Sequence, residues 1–111
     1  MITLYTDSSP NGFKITIALE ELGLAYRLQH VKIDEGENRH PEFLRLNPHG
    51  RIPVLVDGSN GITLFESATI LLYLADMTGR LLPIAPKARW EAIQWLMFHS
   101  SSVGPVMGQR V

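Results

Sequence analysis

Cysteine is absent from this chain of 111 residues. That absence excludes structural disulfides, thiolate metal sites and any redox reaction carried by the protein's own sulfur. A charge excess is also absent, since 10 Lys and Arg residues stand against 11 Asp and Glu residues, for a formal net charge of −1. A chain without a basic excess has no electrostatic footprint for nucleic acid or for an acidic membrane. Any thiol chemistry would have to be brought in by a ligand.

Metal-ligand spacing and long apolar runs are missing as well. The histidines are scattered along the chain, so we expect no metal site. The apolar runs are far shorter than a membrane span, and the chain opens with a strand pattern where a signal peptide would have a basic and then an apolar region. We therefore expect a soluble cytoplasmic protein that binds neither nucleic acid nor membrane.

The first third of the chain has the pattern of a βαβ unit. Ile2–Thr6 predicts a strand, Ser9 is a good helix N-cap, and Pro10 suits the first helical position. Apolar residues then recur at helical spacing until Gly23, which is suited to end the helix. Tyr26–Ile33 alternates in strand fashion, and a strand reached through such a helix should be parallel to the first.

The middle of the chain predicts a short helix, a β-hairpin and a longer helix. Residues 34–40 are polar and predict a loop, whereas the Asp- and Gly-containing turn over residues 57–61 is a strong hairpin signal. Ser67 is predicted to cap the longer helix and Gly79 to end it. The predicted elements are a helix over Pro41–Leu46, strands over Val54–Val56 and Ile62–Phe65, and a helix from Ser67 to about Met77.

This order of elements is that of an α/β, thioredoxin-like domain with a four-stranded mixed sheet. We assign residues 1–79 to that domain, residues 80–86 to a proline-bearing linker, and residues 87–111 to the start of a truncated all-α domain. The last helix, predicted from Lys87 to about Ser100, has a wide apolar face. Either the chain is a piece of a longer protein, which we favour, or this face is buried in an oligomer.

Two strand-end positions have both a structural and a functional interpretation. Pro53 lies at the start of a strand. It either belongs to the solvent-facing side of an edge strand, where no amide donor is needed, or is a cis-proline that leaves the main chain of Ile52 free to pair with an extended peptide ligand. Ser67 and Glu66, at a strand-to-helix junction, either stabilise the helix terminus or hold the carboxylate and the ammonium of an amino-acid head group.

A third position is the stretch Ser8-Ser9-Pro10-Asn11-Gly12, which joins the first strand to the first helix. Ser9 as an N-cap and Asn11 in the first turn need no function beyond the helix itself. In the functional interpretation, their hydroxyl and carboxamide donors stabilise the thiolate of a bound ligand at the positive end of the helix dipole.

Together these motifs resemble the glutathione transferase superfamily. The similarity lies in Ser9-Pro10-Asn11-Gly12, Pro41-Glu42-Phe43, Asn47-Pro48, Ile52-Pro53 and the run from Phe65 to Leu74. It is strongest toward the nu-class bacterial enzymes with glutathione-dependent disulfide reductase activity, which are relatives of the yeast prion-forming nitrogen regulator. The segment from Trp95 to Gln109 resembles the first helix of their second domain.

The resemblance implies a set of glutathione contacts. Ser9 and Asn11 are expected to face the glutathione sulfur and to act as the catalytic residues. The main chain of Ile52, just before Pro53, is expected to pair with the cysteinyl part. Glu66 and Ser67 are expected to hold the γ-glutamyl end. Asn38 is expected to contact either the glycyl end or a second glutathione.

The resemblance also implies a function, for which two hypotheses remain. In the first, glutathione is the co-substrate of a homodimeric enzyme that reduces small disulfides or conjugates electrophiles, with no metal. In the second, the fold serves as a non-catalytic regulatory or interaction module. The chain departs from close relatives at Ser9, where threonine is frequent, and in lacking nearly all of the second domain.

Overall fold

The computed structural model describes residues 1–103, within which four short strands form one mixed sheet. The strands are β1 (Ile2–Thr6), β2 (Tyr26–His30), β3 (Val54–Asp57) and β4 (Ile62–Phe65). The helices are α1 (Pro10–Glu21), α2 (Pro41–Leu46), α3 (Ser67–Thr78) and α4 (Pro86–Phe98), with 3-10 turns at Ile33–Glu35 and Glu37–Arg39 and a π-helical turn at His99–Val103.

The sheet has the strand order β2-β1-β3-β4. Strand β1 is parallel to β2 and antiparallel to β3, which is antiparallel to β4. Tyr5 pairs with Val54, and Val54 pairs with Phe65, so β1 and β4 end where β3 begins. We call this end of the sheet the Ser9 edge, after the loop that follows β1, and the opposite end, where β3 finishes, the Asp57 edge. The predicted thioredoxin-like α/β fold with a four-stranded mixed sheet is confirmed.

The core lies between the sheet and the helices α1 and α3. Alternating residues of β1 point into it, as Leu4 shows by being fully buried, and α1 contributes Ile15 and Leu19 at helical spacing. A smaller apolar cluster lies beside α2, where Phe43 packs with Val31 and Val54. The larger cluster consists of Ile2, Leu4, Ile15, Ala18, Leu19, Leu22, Leu55, Ile70 and Leu74.

Strand β2 is shorter than the predicted Tyr26–Ile33. Its partner β1 ends at Thr6, and the Val31 amide still donates to the Thr6 carbonyl at 2.8 Å. Beyond that point no strand remains for pairing, and Ile33 enters a 3-10 turn. The predicted loop over residues 34–40 therefore contains two short turns, joined by Gly36 in the left-handed region at φ 75°.

Helix α4 begins at Pro86, one residue before the predicted start, and its bulky side chains are open to solvent. Trp90 is 67% exposed and Trp95 63% exposed. The predicted segment from Gly104 to Val111 lies outside the described residues. None of the helices in residues 1–103 combines the length and the apolar character needed to cross a membrane.

Candidate functional site at the Ser9 edge

The register of the sheet brings the three predicted loop positions to one edge. Because Tyr5, Val54 and Phe65 lie side by side, the chain leaves β1 toward Ser9, enters β3 from Pro53 and leaves β4 toward Glu66 at the same end of the sheet. Neighbouring strands are about 4.8 Å apart, so these three segments lie next to one another. Residues that are far apart in the sequence thus form one surface.

The loop after β1 is held tightly against the sheet. Ser9 caps α1 as predicted, and its Oγ accepts a hydrogen bond from the Gly12 amide at 3.1 Å. Gly12 is buried, and a Cβ added there would collide with Thr6 Oγ1 and lie 2.7 Å from the Asp7 carbonyl oxygen. Asn11 is exposed, and within residues 1–103 its carboxamide makes no hydrogen bond. The helix terminus is thus fixed, while the Asn11 side chain stays available.

Asp7 fastens this loop to the segment after β2. Its carboxylate accepts hydrogen bonds from the Ser8 amide at 2.8 Å and the Ile33 amide at 3.1 Å, and it lies 2.7 Å from His30 Nε2. The Ile33 amide and the His30 ring, together with the Ser8 amide, lower the pKa of Asp7 to about 2. Sequence reasoning missed Asp7, for which the available signal was an acidic residue directly after a buried strand.

The segment before β3 presents free main-chain groups. The peptide bond between Ile52 and Pro53 is cis, and Pro53 is buried. Within residues 1–103 neither the amide nor the carbonyl group of Ile52 forms a hydrogen bond. The preceding turn is built on Asn47, a buried residue whose side chain binds the main chain of His49 and Arg51. Asn47 appeared in the sequence only as part of the Asn47-Pro48 motif.

The junction between β4 and α3 differs from the prediction by one residue. The prediction that Ser67 is the N-cap is wrong, because Ser67 is the first helical residue and Glu66 occupies the cap position. Glu66 has φ 80° and ψ 112°, and its side chain makes no capping hydrogen bond, so the terminal amides have no side-chain acceptor. In the described part of the chain, the amides of Ser67, Ala68 and Thr69 donate to no carbonyl group.

Asn38, unlike the other predicted residues, has its side chain bonded to the loop before Pro53. Its Nδ2 donates to the Gly50 carbonyl at 2.9 Å, and its side chain is half-buried. The bond joins the second 3-10 turn to the loop before Pro53. The geometry thus gives Asn38 a contact within the protein and brings Ser9, Asn11, Ile52 and Glu66-Ser67 to the open edge.

The open edge suits an anion. The positive ends of α1 and α3 both lie there, and neither helix has an acidic residue in its first turn. The nearby side-chain donors are a hydroxyl and a carboxamide, which do not ionise near neutral pH. No group of three metal-ligating side chains occurs in the part of the chain that the structure describes.

The family model for the N-terminal domain of glutathione S-transferase matches residues 1–76. The chain belongs to the glutathione S-transferase family. The match ends within α3 and so covers the whole sheet and the Ser9 edge. The resemblance expected from the sequence is confirmed.

Similar proteins include enzymes and a regulator. The chain is 45% identical over 98% of its length to the disulfide-bond oxidoreductase YfcG of Escherichia coli, and 39% identical over 92% of its length to the transcriptional regulator URE2 of Saccharomyces cerevisiae. A glutathione transferase family member from Pseudomonas fluorescens, solved with two glutathiones bound, has 45% identity and a TM-score of 0.92 over 97% of the chain. The chain spans 53%, 31% and 49% of these three proteins, respectively.

Proposed function

We propose that the Ser9 edge binds glutathione and stabilises its thiolate for attack on a small disulfide or an electrophile. The observation that carries this proposal is the convergence of unpaired polar groups from three separate segments at one edge of the sheet. Glutathione is an extended tripeptide with an amino-acid head group, a thiol and a terminal carboxylate, and each class of free group on this edge matches one of these parts. The bound glutathiones of the Pseudomonas relative support the assignment.

In the proposed complex, the γ-glutamyl head group lies at the N-terminus of α3. Its carboxylate accepts hydrogen bonds from the free amides and from the Ser67 hydroxyl, while Glu66 pairs with its ammonium group. The cysteinyl part lies along the Ile52 main chain beside Pro53. Asn38 keeps its proposed place toward the glycyl end.

The sulfur is proposed to lie against Ser9 and Asn11. Because the Ser9 oxygen already accepts the Gly12 amide, its hydrogen is free to be donated, and the Asn11 carboxamide adds a second donor. Donors at a positive helix terminus favour the thiolate over the thiol and thereby lower the thiol pKa. The thiolate then attacks one sulfur of the disulfide, whose S–S bond breaks to release one substrate thiolate and leave a mixed disulfide with glutathione. A second glutathione thiolate attacks the glutathione sulfur of that mixed disulfide, which releases the other substrate thiolate and forms glutathione disulfide.

We further propose the organisation that the resemblance implies. Residues 1–79 form the glutathione-binding domain, residues 80–86 a linker, and residues 87–111 the start of a helical domain that contributes to the second substrate's site. A cytoplasmic homodimer is proposed on the same ground. The exposed aromatic residues Trp90 and Trp95 of α4 support a further partner surface for that helix.

Calorimetric titration of the whole protein with glutathione tests the site. We expect the combined Glu66→Ala and Ser67→Ala variant to bind at least about a hundredfold more weakly, since two charge-assisted contacts are removed. Glu20→Ala, which removes an exposed carboxylate near the other end of α1, is the matched control and should bind as the unmodified protein does. Unchanged affinity in the double variant, or no binding by the unmodified protein at millimolar glutathione, would contradict the proposal.

A second candidate function is a regulatory module without turnover, which the similarity to the yeast regulator favours. It shares the glutathione site but predicts no reaction. Assays with a 2-hydroxyethyl mixed disulfide and with an aryl halide separate the two functions. Turnover that collapses in Asn11→Ala would exclude the regulatory function, and glutathione binding without turnover on either substrate would favour it.

A further inference from the structure

We propose that Asn47 is a positioning residue that aims the Ile52 amide at the ligand. This inference rests on the proposed glutathione site and assigns a role to a residue that does not touch glutathione. Asn47 is only 2% exposed, and it ends α2 at the start of the turn that leads to β3.

Each polar atom of Asn47, in the main chain and in the side chain, has a hydrogen-bond partner in α2 or in the turn. Its amide donates to the Phe43 carbonyl at 3.0 Å, and its own carbonyl accepts the Gly50 amide at 2.9 Å. In the side chain, Oδ1 accepts the His49 amide at 3.0 Å, and Nδ2 donates to the Arg51 carbonyl at 2.8 Å. A buried side chain with all its groups bound has one orientation, because any rotation would leave a polar group unpaired.

The bond to Arg51 matters because of the peptide unit that Arg51 shares with Ile52. That unit is planar, and in a trans peptide the carbonyl oxygen and the amide hydrogen point in opposite directions. A donor that holds the Arg51 carbonyl inward therefore directs the Ile52 amide outward. Asn38 holds the preceding Gly50 carbonyl in the same way, so the loop before Pro53 is held at two successive peptide units.

The outward-facing Ile52 amide is the donor proposed to pair with the cysteinyl carbonyl of glutathione. Without the Asn47 contact, the peptide plane can rotate, and binding then has to restrict that rotation. The bond also polarises the peptide unit, so its loss makes the amide a weaker donor. Asn47 thus acts on affinity through one specific ligand atom, the cysteinyl carbonyl oxygen.

The test uses Asn47→Asp, which keeps the acceptor for the His49 amide and replaces the donor to Arg51 with an oxygen. Calorimetry on the whole protein compares glutathione with an analogue whose cysteinyl carbonyl is replaced by a methylene group. We expect Asn47→Asp to weaken glutathione binding about tenfold and to weaken binding of the analogue by less than about twofold. A merely structural role would weaken both ligands equally, and that result would overturn the inference.

The matched control is Asn60→Asp. Asn60 likewise uses both side-chain atoms, with Oδ1 accepting the Ile62 amide at 3.0 Å and Nδ2 donating to Tyr73 Oη at 2.9 Å. It is exposed and belongs to the turn at the Asp57 edge. Its substitution should leave the affinity for both ligands unchanged. If Asn47→Asp fails to fold, Asn47→Ser replaces it, because a serine hydroxyl can accept the His49 amide but is too short to reach Arg51.

The failure of this inference is distinct from failure of the proposed function. If the unmodified protein does not bind glutathione, the proposed function fails. If it binds glutathione and Asn47→Asp weakens both ligands to the same extent, the site stands and the role of Asn47 is refuted.

Discussion

The two ends of the sheet use the same kinds of polar residue in opposite ways. At the Asp57 edge, the buried Asp57 carboxylate accepts hydrogen bonds from Ser59 and from Tyr73 Oη, and Tyr73 Oη in turn accepts one from Asn60. At the Ser9 edge, the Asn11 side chain and the Ile52 main chain have no partner within residues 1–103. The polar side chains at the Asp57 edge thus bond to one another, whereas the Ser9 edge presents donors and acceptors that have no hydrogen-bond partner in the described residues.

This difference separates groups that stabilise the fold from groups that can bind a ligand. In the described residues no buried side-chain polar atom lacks a partner, so the unpaired side-chain groups lie at accessible positions. A polar group that water can reach contributes little to stability when it has no partner in the protein, and it stays available to a ligand at little cost to the fold. Substitutions at the Ser9 edge should therefore change glutathione binding or turnover, whereas substitutions at the Asp57 edge should leave glutathione affinity unchanged.

The largest expected effect is on turnover, from Asn11→Ala. We expect a loss of roughly a hundredfold to a thousandfold in kcat with a small disulfide, because one of the two proposed donors to the glutathione thiolate is removed. The thermal midpoint should be unchanged, since Asn11 is exposed and its side chain makes no hydrogen bond in the described part of the chain. Steady-state kinetics measure the turnover, and thermal unfolding measures the midpoint. The ultraviolet absorbance of the bound thiolate against pH gives the thiol pKa of glutathione.

If the thiol pKa of bound glutathione stays the same in Asn11→Ala, Asn11 does not stabilise the glutathione thiolate. Ser9→Thr is the conservative control, because it keeps both the hydroxyl and the N-cap. Its turnover should match that of the unmodified protein.

The next effect is on both stability and binding, from Gly12→Ala. The added Cβ meets the Asp7 carbonyl, a backbone atom that cannot rotate away, so the first turn of α1 has to shift. We expect a loss of about 1–3 kcal/mol in the free energy of unfolding and weaker glutathione binding, since Ser9 and Asn11 move with that turn. Denaturant unfolding and calorimetry test the two parts.

Gly61→Ala is the comparison at the Asp57 edge. Gly61 has φ 76° with open space around its Cβ position, so alanine there costs about 1–2 kcal/mol of backbone strain. We expect its glutathione affinity to remain intact. A loss of binding in Gly61→Ala comparable to that in Gly12→Ala would contradict the prediction that only the Ser9 edge affects glutathione binding.

The smallest effect is confined to stability, from Tyr73→Phe. The Tyr73 hydroxyl and Ser59 lower the pKa of Asp57 to about 2, below its ordinary value of 3.8. A carboxyl whose pKa is lower in the folded state stabilises the fold above pH 4, and this contribution is lost as the pH falls from about 4 to about 2. Tyr73→Phe should lower Tm by about 5 °C at pH 7 and make the decline in acid shallower.

Glutathione affinity in Tyr73→Phe should equal that of the unmodified protein at neutral pH. A weaker affinity would show that the network at the Asp57 edge also supports the Ser9 edge through β3. An acid decline as steep as in the unmodified protein would assign that decline to Asp7, whose pKa is also about 2, instead of Asp57.

Local signals predicted most of the elements. The bounds of β1 and α2 match the prediction because each has its own start and stop residues, such as Pro41 at the first turn of α2. The N-cap Ser9 was predicted correctly for the same reason, since a cap bonds to an amide three residues away. Ser67 was assigned to the cap although Glu66, with positive φ, occupies it, because backbone strain at a non-glycine residue has no sequence signal.

Contacts between residues that are far apart in the sequence could not be predicted from it. Asp7 reaches Ile33 across 26 positions, and Asn38 reaches Gly50 across 12, and neither pairing is marked by residue type. The end of β2 likewise depends on where its neighbour β1 stops. Such features depend on which strands come to lie side by side.

The sequence alone determined the order of the elements, the absence of a protein thiol and the polar residues available at each turn, because these depend on residue type and short-range spacing. Only the tertiary structure decided which of those residues share a surface. The pairing of Tyr5 with Val54 and of Val54 with Phe65 gathers Ser9, Ile52 and Glu66 at one edge of the sheet. The structure also decided which polar groups have a hydrogen-bond partner and which have none, since a hydrogen bond depends on two partners and on the fold that brings them together.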